Sequence, residues 1–190
     1  RALAVLAGAS GEGLPLAGIP ARWYVWTTGV IGRKSVRGEN GELRMKVLLV
    51  QPRQVRRAGF RAGFRTMAVV EPLGLEMVAG ALRGEHQVKL VDMLPGVDLD
   101  AAVTKFSPDV CGISCSFTVD VPETLRVAHA VKSLKPSCFV FVGGHHASLN
   151  PHDFAVPHID AVAAGEGEAV APALVRALAA GDDPAGVKGL

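Results

Sequence analysis

From Met45 onward, the chain alternates between short continuous apolar runs and longer stretches whose apolar residues have helical spacing. The short runs are rich in valine, leucine, isoleucine and phenylalanine, which is typical of strands buried on both faces of a sheet. They predict five strands, at 46–50, 88–91, 110–114, 138–142 and 161–164.

Helical segments separate these predicted strands. Leu75, Val78 and Leu82 fall on one face of a helix that begins near Pro72, and Asp98 is placed to cap the next helix. The predicted helices are 72–82, 99–106, 122–134 and 169–180, whereas a basic loop at 53–66 and the stretch 143–158 are predicted to be irregular. Alternating strands and helices form βαβ units, so the sequence predicts an α/β fold with a flavodoxin-like (Rossmann-like), doubly wound, five-stranded parallel sheet.

The fourth predicted strand ends abruptly at Gly143-Gly144. Taken alone, such a pair most often makes a tight turn. In an open parallel sheet, however, ligands bind at the carboxyl ends of the strands, and glycines there let a ligand approach the backbone. The pair therefore becomes a candidate binding element when the rest of that edge is considered.

The residues that follow the other strands share this edge. They are mostly glycines, small residues and hydroxyl residues, at 51–52, 92, 114–118, 143–148 and 165–168. Such an edge suits a large flat ligand held by backbone and hydroxyl contacts better than a metal held by carboxylates. The edge also argues against a phosphoacceptor domain, because Gln51 stands at the end of the first strand, where such a domain needs clustered acidic residues.

Nucleotide-binding motifs are missing from the sequence. Neither G-x-G-x-x-G after the first strand nor G-x-x-x-x-G-K-[ST] occurs. The segment 165–167, Gly-Glu-Gly, could place an anionic group at the start of a helix, but an ordinary loop-to-helix turn with acidic residues favouring the helix dipole explains it equally well.

Metal-binding motifs are also missing. His145 and His146 are adjacent, so their side chains point in different directions, and no cysteine or carboxylate has ligand spacing around them. Cys111, Cys115 and Cys138 lack the spacing of an iron–sulfur cluster and are interpreted as structural.

The net charge of +2 and the three cysteines narrow the function classes. The charge does not favour nucleic acid, no apolar run is long enough to span a membrane, and the odd cysteine number does not indicate a disulfide framework, so a cytoplasmic location is expected. Residues 1–44 do not continue the pattern and stay unassigned, either as the end of a preceding element or as sequence upstream of a start at Met45. The chain is expected to be a fragment.

Six segments, in this order, resemble the amino-terminal domain of cobalamin-dependent radical S-adenosylmethionine (SAM) enzymes. They are MKVLLVQP, EPLGLEMVAGAL, HQVKLVD, SPDVCGIS, VFVGGHHASLNP and IDAVAAGEGE. The resemblance covers about 45–190 and implies a Rossmann-like domain that binds cobalamin (vitamin B12) over the carboxyl ends of its strands. It implies methyl transfer or a related radical reaction in the full-length protein, while the chain alone binds and does not catalyse.

The resemblance also implies which residues contact the cofactor. Hydroxyl groups suit the polar atoms of the dimethylbenzimidazole nucleotide tail, and glycines leave room for it between strand ends and helices. No catalytic residue and no metal ligand is assigned. The implied cofactor-binding residues are Leu73, Gly74, Ser114, Ser116, Phe117, Thr118, Gly143, Gly144, His145, Gly165, Glu166 and Gly167.

Two related motifs are missing. The D-x-H-x-x-G stretch of the mutase and methionine-synthase cobalamin domains is absent, so no histidine is assigned as the lower cobalt ligand; the radical enzymes commonly lack it too. The C-x-x-x-C-x-x-C motif is also absent, so the [4Fe-4S] cluster and S-adenosylmethionine are expected on a following radical SAM domain after Leu190.

Two other functions remain open. A free-standing sensor or carrier domain of this fold would use cobalamin or another flat ligand to control a partner. The sugar-nucleotide-binding half of a transferase would use 165–168 and would bind nucleotide diphosphates but not cobalamin. The sequence indicates no substrate for any of these.

Overall fold

The computed structural model describes residues 36–37, 43–53, 71–93 and 97–190. The strands are β1 Val36–Arg37, β2 Leu43–Arg44, β3 Lys46–Gln51, β4 Gln87–Asp92, β5 Val110–Ser114, β6 Phe139–Gly143 and β7 Ala161–Ala163. The helices are α1 Leu73–Leu82, α2 Leu99–Phe106, α3 Val121–Leu134, α4 His145–Leu149 and α5 Gly167–Ala180, with 3₁₀ turns at Thr118–Asp120, Pro151–Phe154 and Pro184–Gly186.

Strands β3 to β7 form one sheet in the order β4-β3-β5-β6-β7, and every neighbouring pair is parallel. Counted from β3 as the first strand, this is the order 2-1-3-4-5 of the flavodoxin-like doubly wound fold. The predicted fold class is therefore confirmed. The order reverses between β3 and β5, so the crevice for a ligand is expected at the carboxyl ends of these strands. β1 and β2 form a separate antiparallel pair.

Helices cover both faces of the sheet, because alternate residues of each strand point to opposite sides. In β3, Leu48 and Val50 pack in a cluster with α2 and α3, whereas Val47 and Leu49 pack in a second cluster with α1 and α5. All four side chains are fully buried. This two-sided burial explains why the strands read as continuous apolar runs and do not alternate with polar residues.

The helix ends follow the local sequence. The Asp98 carboxylate accepts a hydrogen bond from the Ala101 N–H (3.0 Å) and caps α2, as predicted. Pro122 lies in the first turn of α3, where a missing N–H leaves no donor unpaired within the helix. The observed bounds of α2 and β5 equal the predicted ones, and those of α1, α3, α5 and the other sheet strands differ from the prediction by one or two residues at an end.

The prediction that residues 143–158 are irregular is wrong. Residues 143–158 include the short helix α4 and the 3₁₀ turn Pro151–Phe154. His146, Ala147 and Phe154 are buried there, so packing against the rest of the domain stabilises a helix too short to show a hydrophobic period. Most of the unassigned segment 1–44 and most of the predicted basic loop lie outside the described residues. In the described part of the chain, no helix is long and apolar enough to cross a membrane.

Two aspartate carboxylates accept hydrogen bonds from backbone N–H groups near the amino ends of the sheet strands. Asp109, just before β5, accepts a hydrogen bond from the backbone N–H of Lys46 (2.9 Å). Asp160, just before β7, accepts one from the N–H of Val140 (2.7 Å) and also lies 2.6 Å from the Lys132 ammonium of α3. The Asp160 side chain is only 4% exposed, so this carboxylate joins β6, β7 and α3 in a largely buried ion pair.

We expect Asp160→Ala to lower the free energy of unfolding by about 3 kcal/mol, because it leaves the Val140 N–H without this acceptor and the Lys132 ammonium without its carboxylate. Urea denaturation followed by circular dichroism measures the change. Glu85→Ala is the matched control, since it removes an exposed carboxylate paired with Arg176 and should leave the midpoint nearly unchanged. Equal effects of the two substitutions would contradict the structural role of Asp160.

Candidate functional site at the carboxyl edge of the sheet

A cavity of about 480 Å³ opens at the carboxyl edge of the sheet, on the face covered by α1 and α5. Its volume is within the range of cofactor and small-molecule sites. The buried residues that line it are Leu49, Leu75, Val78, Gly112, Ile113, Phe141, Ala163 and Ala171. The lining residues that are at least partly exposed are Gly74, Ser114, Ser116, Gly143, Gly144, His145, Ser148, Gly165, Glu166, Gly167 and Glu168.

The lining of this cavity changes from apolar in the interior to polar at the mouth. All of its buried lining residues are apolar or glycine, and every lining residue with a polar side chain is at least partly exposed. The hydroxyl groups, the histidine and the two glutamates therefore lie toward the mouth. Such a cavity accepts an apolar group in its interior and meets polar groups at its opening.

Nine of the twelve residues that the resemblance implies line this cavity together. They are Gly74, Ser114, Ser116, Gly143, Gly144, His145, Gly165, Glu166 and Gly167.

Leu73, Phe117 and Thr118 do not line it. Leu73 and Phe117 are 66% and 49% exposed, and the Thr118 hydroxyl lies 3.3 Å from Nδ1 of His146. These three residues lie on the first turn of α1 and on the loop after β5.

The loops after β5 and β6 approach each other closely. The Cys115 N–H donates to the Gly143 carbonyl (2.7 Å), and the Ala147 N–H donates to the Cys115 carbonyl (3.4 Å). Gly144 has φ 112° and ψ 177°, a conformation that is essentially restricted to glycine. A Cβ atom at this position would lie 2.7 Å from the Cys115 carbonyl oxygen, so the contact also requires glycine.

Ser148 of α4 joins the loops after β6 and β7. Its hydroxyl donates to the Gly144 carbonyl (2.9 Å) and accepts from the Gly165 N–H (3.1 Å). The side chain therefore fixes the spacing of two glycine loops at the cavity mouth. It is missing from the residues implied by the resemblance; its spacing of four residues from Gly144 becomes a signal only when α4 is recognised as a helix.

The two adjacent histidines have different environments. His145 is exposed and lines the cavity. His146 is buried; its Nε2 lies 2.8 Å from a carboxylate oxygen of Asp153, and its Nδ1 lies 3.3 Å from both the Thr118 hydroxyl and the Asn150 amide nitrogen. Because the amide nitrogen only donates, Nδ1 is the acceptor and Nε2–H donates to Asp153 in the neutral ring.

His146 thus connects the loop after β5 to α4 and the following turn. Among the described residues, no group of three or more histidine, cysteine, aspartate or glutamate side chains is arranged to hold a metal ion.

The three cysteines are free and buried. Burial raises the pKa of the Cys138 thiol to about 12, raises that of Cys111 well above its ordinary value and raises that of Cys115. All three thiols therefore stay protonated at neutral pH, which fits the structural interpretation made from their spacing.

The floor of the cavity comes from residues that the sequence pattern identifies only as core. Phe141 of β6 is 5% exposed and lies beside Gly112 of β5, where an added Cβ atom would stand 2.5 Å from the ring Cζ and 3.0 Å from Cδ2 of Leu49. Gly112 therefore allows the Phe141 ring to lie directly against the neighbouring strand. In the sequence, apolar residues on this face have no signal that separates cavity floor from packed interior.

One family model and several known proteins are similar to this chain. A family model described as "B12 binding domain" matches residues 65–175. Hopanoid C-3 methylase of Methylococcus capsulatus is 41% identical over 117 residues, which is 58% of this chain and 22% of that protein. An uncharacterized methyltransferase of Pyrococcus horikoshii is 35% identical over 155 residues, 77% of this chain and 32% of that protein. The chain spans about a fifth to a third of the length of these relatives.

A solved structure of a cobalamin-binding protein from Desulfitobacterium hafniense aligns with 66% of this chain and 55% of its own chain, at 17% identity and a TM-score of 0.46.

We expect Gly144→Ala to lower the free energy of unfolding by more than Gly165→Ala does, by about 1–3 kcal/mol. Both glycines have positive φ, 112° and 89°, but an added methyl group meets the Cys115 backbone at position 144 and nothing within 4 Å at position 165. Thermal and urea denaturation of the two variants measures this difference. Equal destabilisation would mean that the loops after β5 and β6 separate without cost.

Proposed function

This chain belongs to the B12-binding domain family, and we propose that it is the cobalamin-binding module of a cobalamin-dependent radical SAM enzyme. In the longer protein, the reaction would be methyl transfer or a related radical step. Cobalamin itself follows from the family; the enzyme, its reaction and the contacting residues are the proposal.

The cavity at the carboxyl edge carries the proposal, because its construction fits the nucleotide tail of cobalamin. The tail joins an apolar dimethylbenzimidazole to a polar ribose and phosphate. The cavity has an apolar interior and hydroxyl groups at its mouth, and Gly143 and Gly144 keep its edge free of side chains. When bound, cobalamin supplies the cobalt chemistry that no side chain provides.

The proposed roles of the chain's residues are binding and orientation. The Ser114 and Ser116 hydroxyls would donate hydrogen bonds to polar atoms of the tail, since both line the cavity and are partly exposed. The mouth is held in shape by Ser148 and by the contact of Gly144 with the Cys115 backbone. Leu73 and Phe117, exposed and outside the cavity, would contact the corrin ring above the edge.

The remaining parts of the proposal concern the longer protein. A following radical SAM domain would hold the [4Fe-4S] cluster and S-adenosylmethionine. The order of six sequence segments supports such a domain, and so do the two relatives named as a methylase and a methyltransferase, each several times longer than the matched region. The buried free cysteines support a cytoplasmic location for the protein.

We expect the chain to retain hydroxocobalamin through gel filtration, and Gly143→Leu to weaken this binding by at least about tenfold. Gly143 lies on the same face of β6 as Phe141, so its added side chain would enter the cavity. A Cβ atom there makes only ordinary contacts, 3.6 and 3.7 Å from Ala163, so the variant should fold. The visible corrin spectrum of the eluted protein measures occupancy.

Gly80→Leu is the matched control for this experiment, because Gly80 is exposed on α1, outside the cavity, with nothing within 4 Å of an added Cβ atom. It should bind cobalamin as the wild type does. If Gly143→Leu also binds as the wild type does, the cofactor lies elsewhere. If the chain binds a sugar nucleotide and no corrinoid, the transferase alternative replaces the proposal.

We also expect the complete protein, reconstituted with iron and sulfide and then reduced, to cleave S-adenosylmethionine. Liquid chromatography with mass spectrometry would detect 5′-deoxyadenosine or S-adenosylhomocysteine. A protein that binds cobalamin but forms neither product would instead be a sensor or carrier domain.

A further inference from the structure

We infer that this cavity selects among corrinoids by the base at the end of the nucleotide tail, and that it favours an apolar benzimidazole over a purine. The inference rests on the proposed binding of the tail in the cavity, and it adds a selectivity that the family assignment does not specify. The burial gradient in the cavity and the position of the Phe141 ring carry it.

Among the described residues, none that lines the buried interior of the cavity has a side-chain hydrogen-bonding group. The buried side chains that the sheet contributes are Leu49, Ile113, Phe141 and Ala163, and the buried side chains that the helices contribute are Leu75, Val78 and Ala171, all of them apolar. His86, Thr124 and His158, whose buried side-chain polar atoms lack a hydrogen-bond partner among the described residues, do not line this cavity. The described residues therefore present no unpaired buried side-chain donor or acceptor to a ligand in the interior.

The backbone of the floor is also committed. Gly112 pairs in register with Leu49 on one side and with Phe141 on the other, within the parallel ladder of β3, β5 and β6. Its N–H and C=O groups therefore form hydrogen bonds within the sheet and are not free to bind a ligand. A ligand group that reaches the floor meets carbon atoms and the face or edge of the Phe141 ring.

This environment distinguishes two kinds of base. The dimethylbenzimidazole ring carries two methyl groups and no hydrogen-bonding group on the edge far from its sugar, so burying that edge removes apolar surface from water. Adenine carries an amino group and ring nitrogens there. Burying them without partners loses their hydrogen bonds to water, which makes binding weaker.

Gly112 and Phe141 together set how far a base can enter. Because Gly112 has no side chain, the ring rests against β5 and closes the cavity toward the amino edge; any Cβ atom at 112 would collide with it. Phe139, two residues earlier on the same face of β6, packs in the same α1/α5 cluster but does not line the cavity. The chain thus offers a matched pair of phenylalanines, one at the floor and one below it.

The test titrates the full 190-residue chain with three corrinoids and measures their dissociation constants by isothermal titration calorimetry. The three are cobalamin, the adenine-containing cobamide and cobinamide, which lacks the nucleotide tail. We expect cobalamin to bind about tenfold or more tightly than the adenine-containing form, and cobinamide to bind more weakly than cobalamin. Equal affinity for the two bases, or for cobalamin and cobinamide, would overturn the inference while leaving cobalamin binding intact.

Absence of binding of all three corrinoids to folded chain would instead overturn the proposed function on which the inference rests.

The phenylalanine pair gives a second measurement. Phe141→Leu should weaken cobalamin binding by about threefold to tenfold through loss of the aromatic contact, with no effect on cobinamide. Phe139→Leu should change neither. If Phe141→Leu and Phe139→Leu weaken cobalamin binding equally, the floor does not contact the base. The comparison of bases on the wild-type chain decides the matter even if a variant fails to fold.

Discussion

The parallel sheet is buried on both faces, and this constraint determines where the chain can bind anything. Each strand places alternate side chains into two separate clusters, one under α2 and α3 and the other under α1 and α5. The backbone groups of its central strands pair with each other, and helices cover both faces, so the described cavity opens only where the strands end, at the carboxyl side of the α1/α5 face. The amino and carboxyl ends of the strands are the other two boundaries of the sheet, and they are built differently.

The contacts at the amino ends of the strands differ from those at the carboxyl ends. At the amino edge, the Asp109 carboxylate accepts from the N–H of Lys46, the first residue of β3, and the Asp160 carboxylate accepts from the N–H of Val140, the second residue of β6, and pairs with the Lys132 ammonium. At the carboxyl edge, the contacts are between loops: Gly144 lies against Cys115, and Ser148 bridges to the last loop. The glycine loops thus border the cavity at one end of the sheet, while carboxylates hold the strands together at the other end.

The sequence predicted the sheet and its helices because their patterns are local and repeat. Continuous apolar runs and helical spacing are visible without knowledge of neighbours, and the Asp98 cap needs only three residues of context. Helix α4 was missed because its five residues carry no period and depend on tertiary contacts such as that of His146 with Asp153. Nine implied site residues meet at one cavity because strand ends converge by topology, which the alternation of elements already dictates.

The cavity floor could not be predicted for a different reason. Phe141 and Phe139 are two residues apart on one face of one strand, and both are buried, so no pattern distinguishes them. Only the collision distance at Gly112 and the lining of the cavity separate the floor from the packed interior. A glycine in a central strand is the one sequence signal of this arrangement, since it marks a place where another group approaches the backbone.

The buried cysteines and the buried histidine of this domain have structural environments. Burial keeps the three thiols protonated, with the pKa of Cys138 raised to about 12, and the buried His146 is committed to Asp153 and to the neighbouring loop. In the buried part of the cavity, the described lining residues are apolar or glycine, whereas the serines, His145 and the glutamates lie toward the mouth. Such an interior can hold a reactive cofactor without offering it a competing nucleophile, so reactivity is left to the cofactor while the protein sets its position.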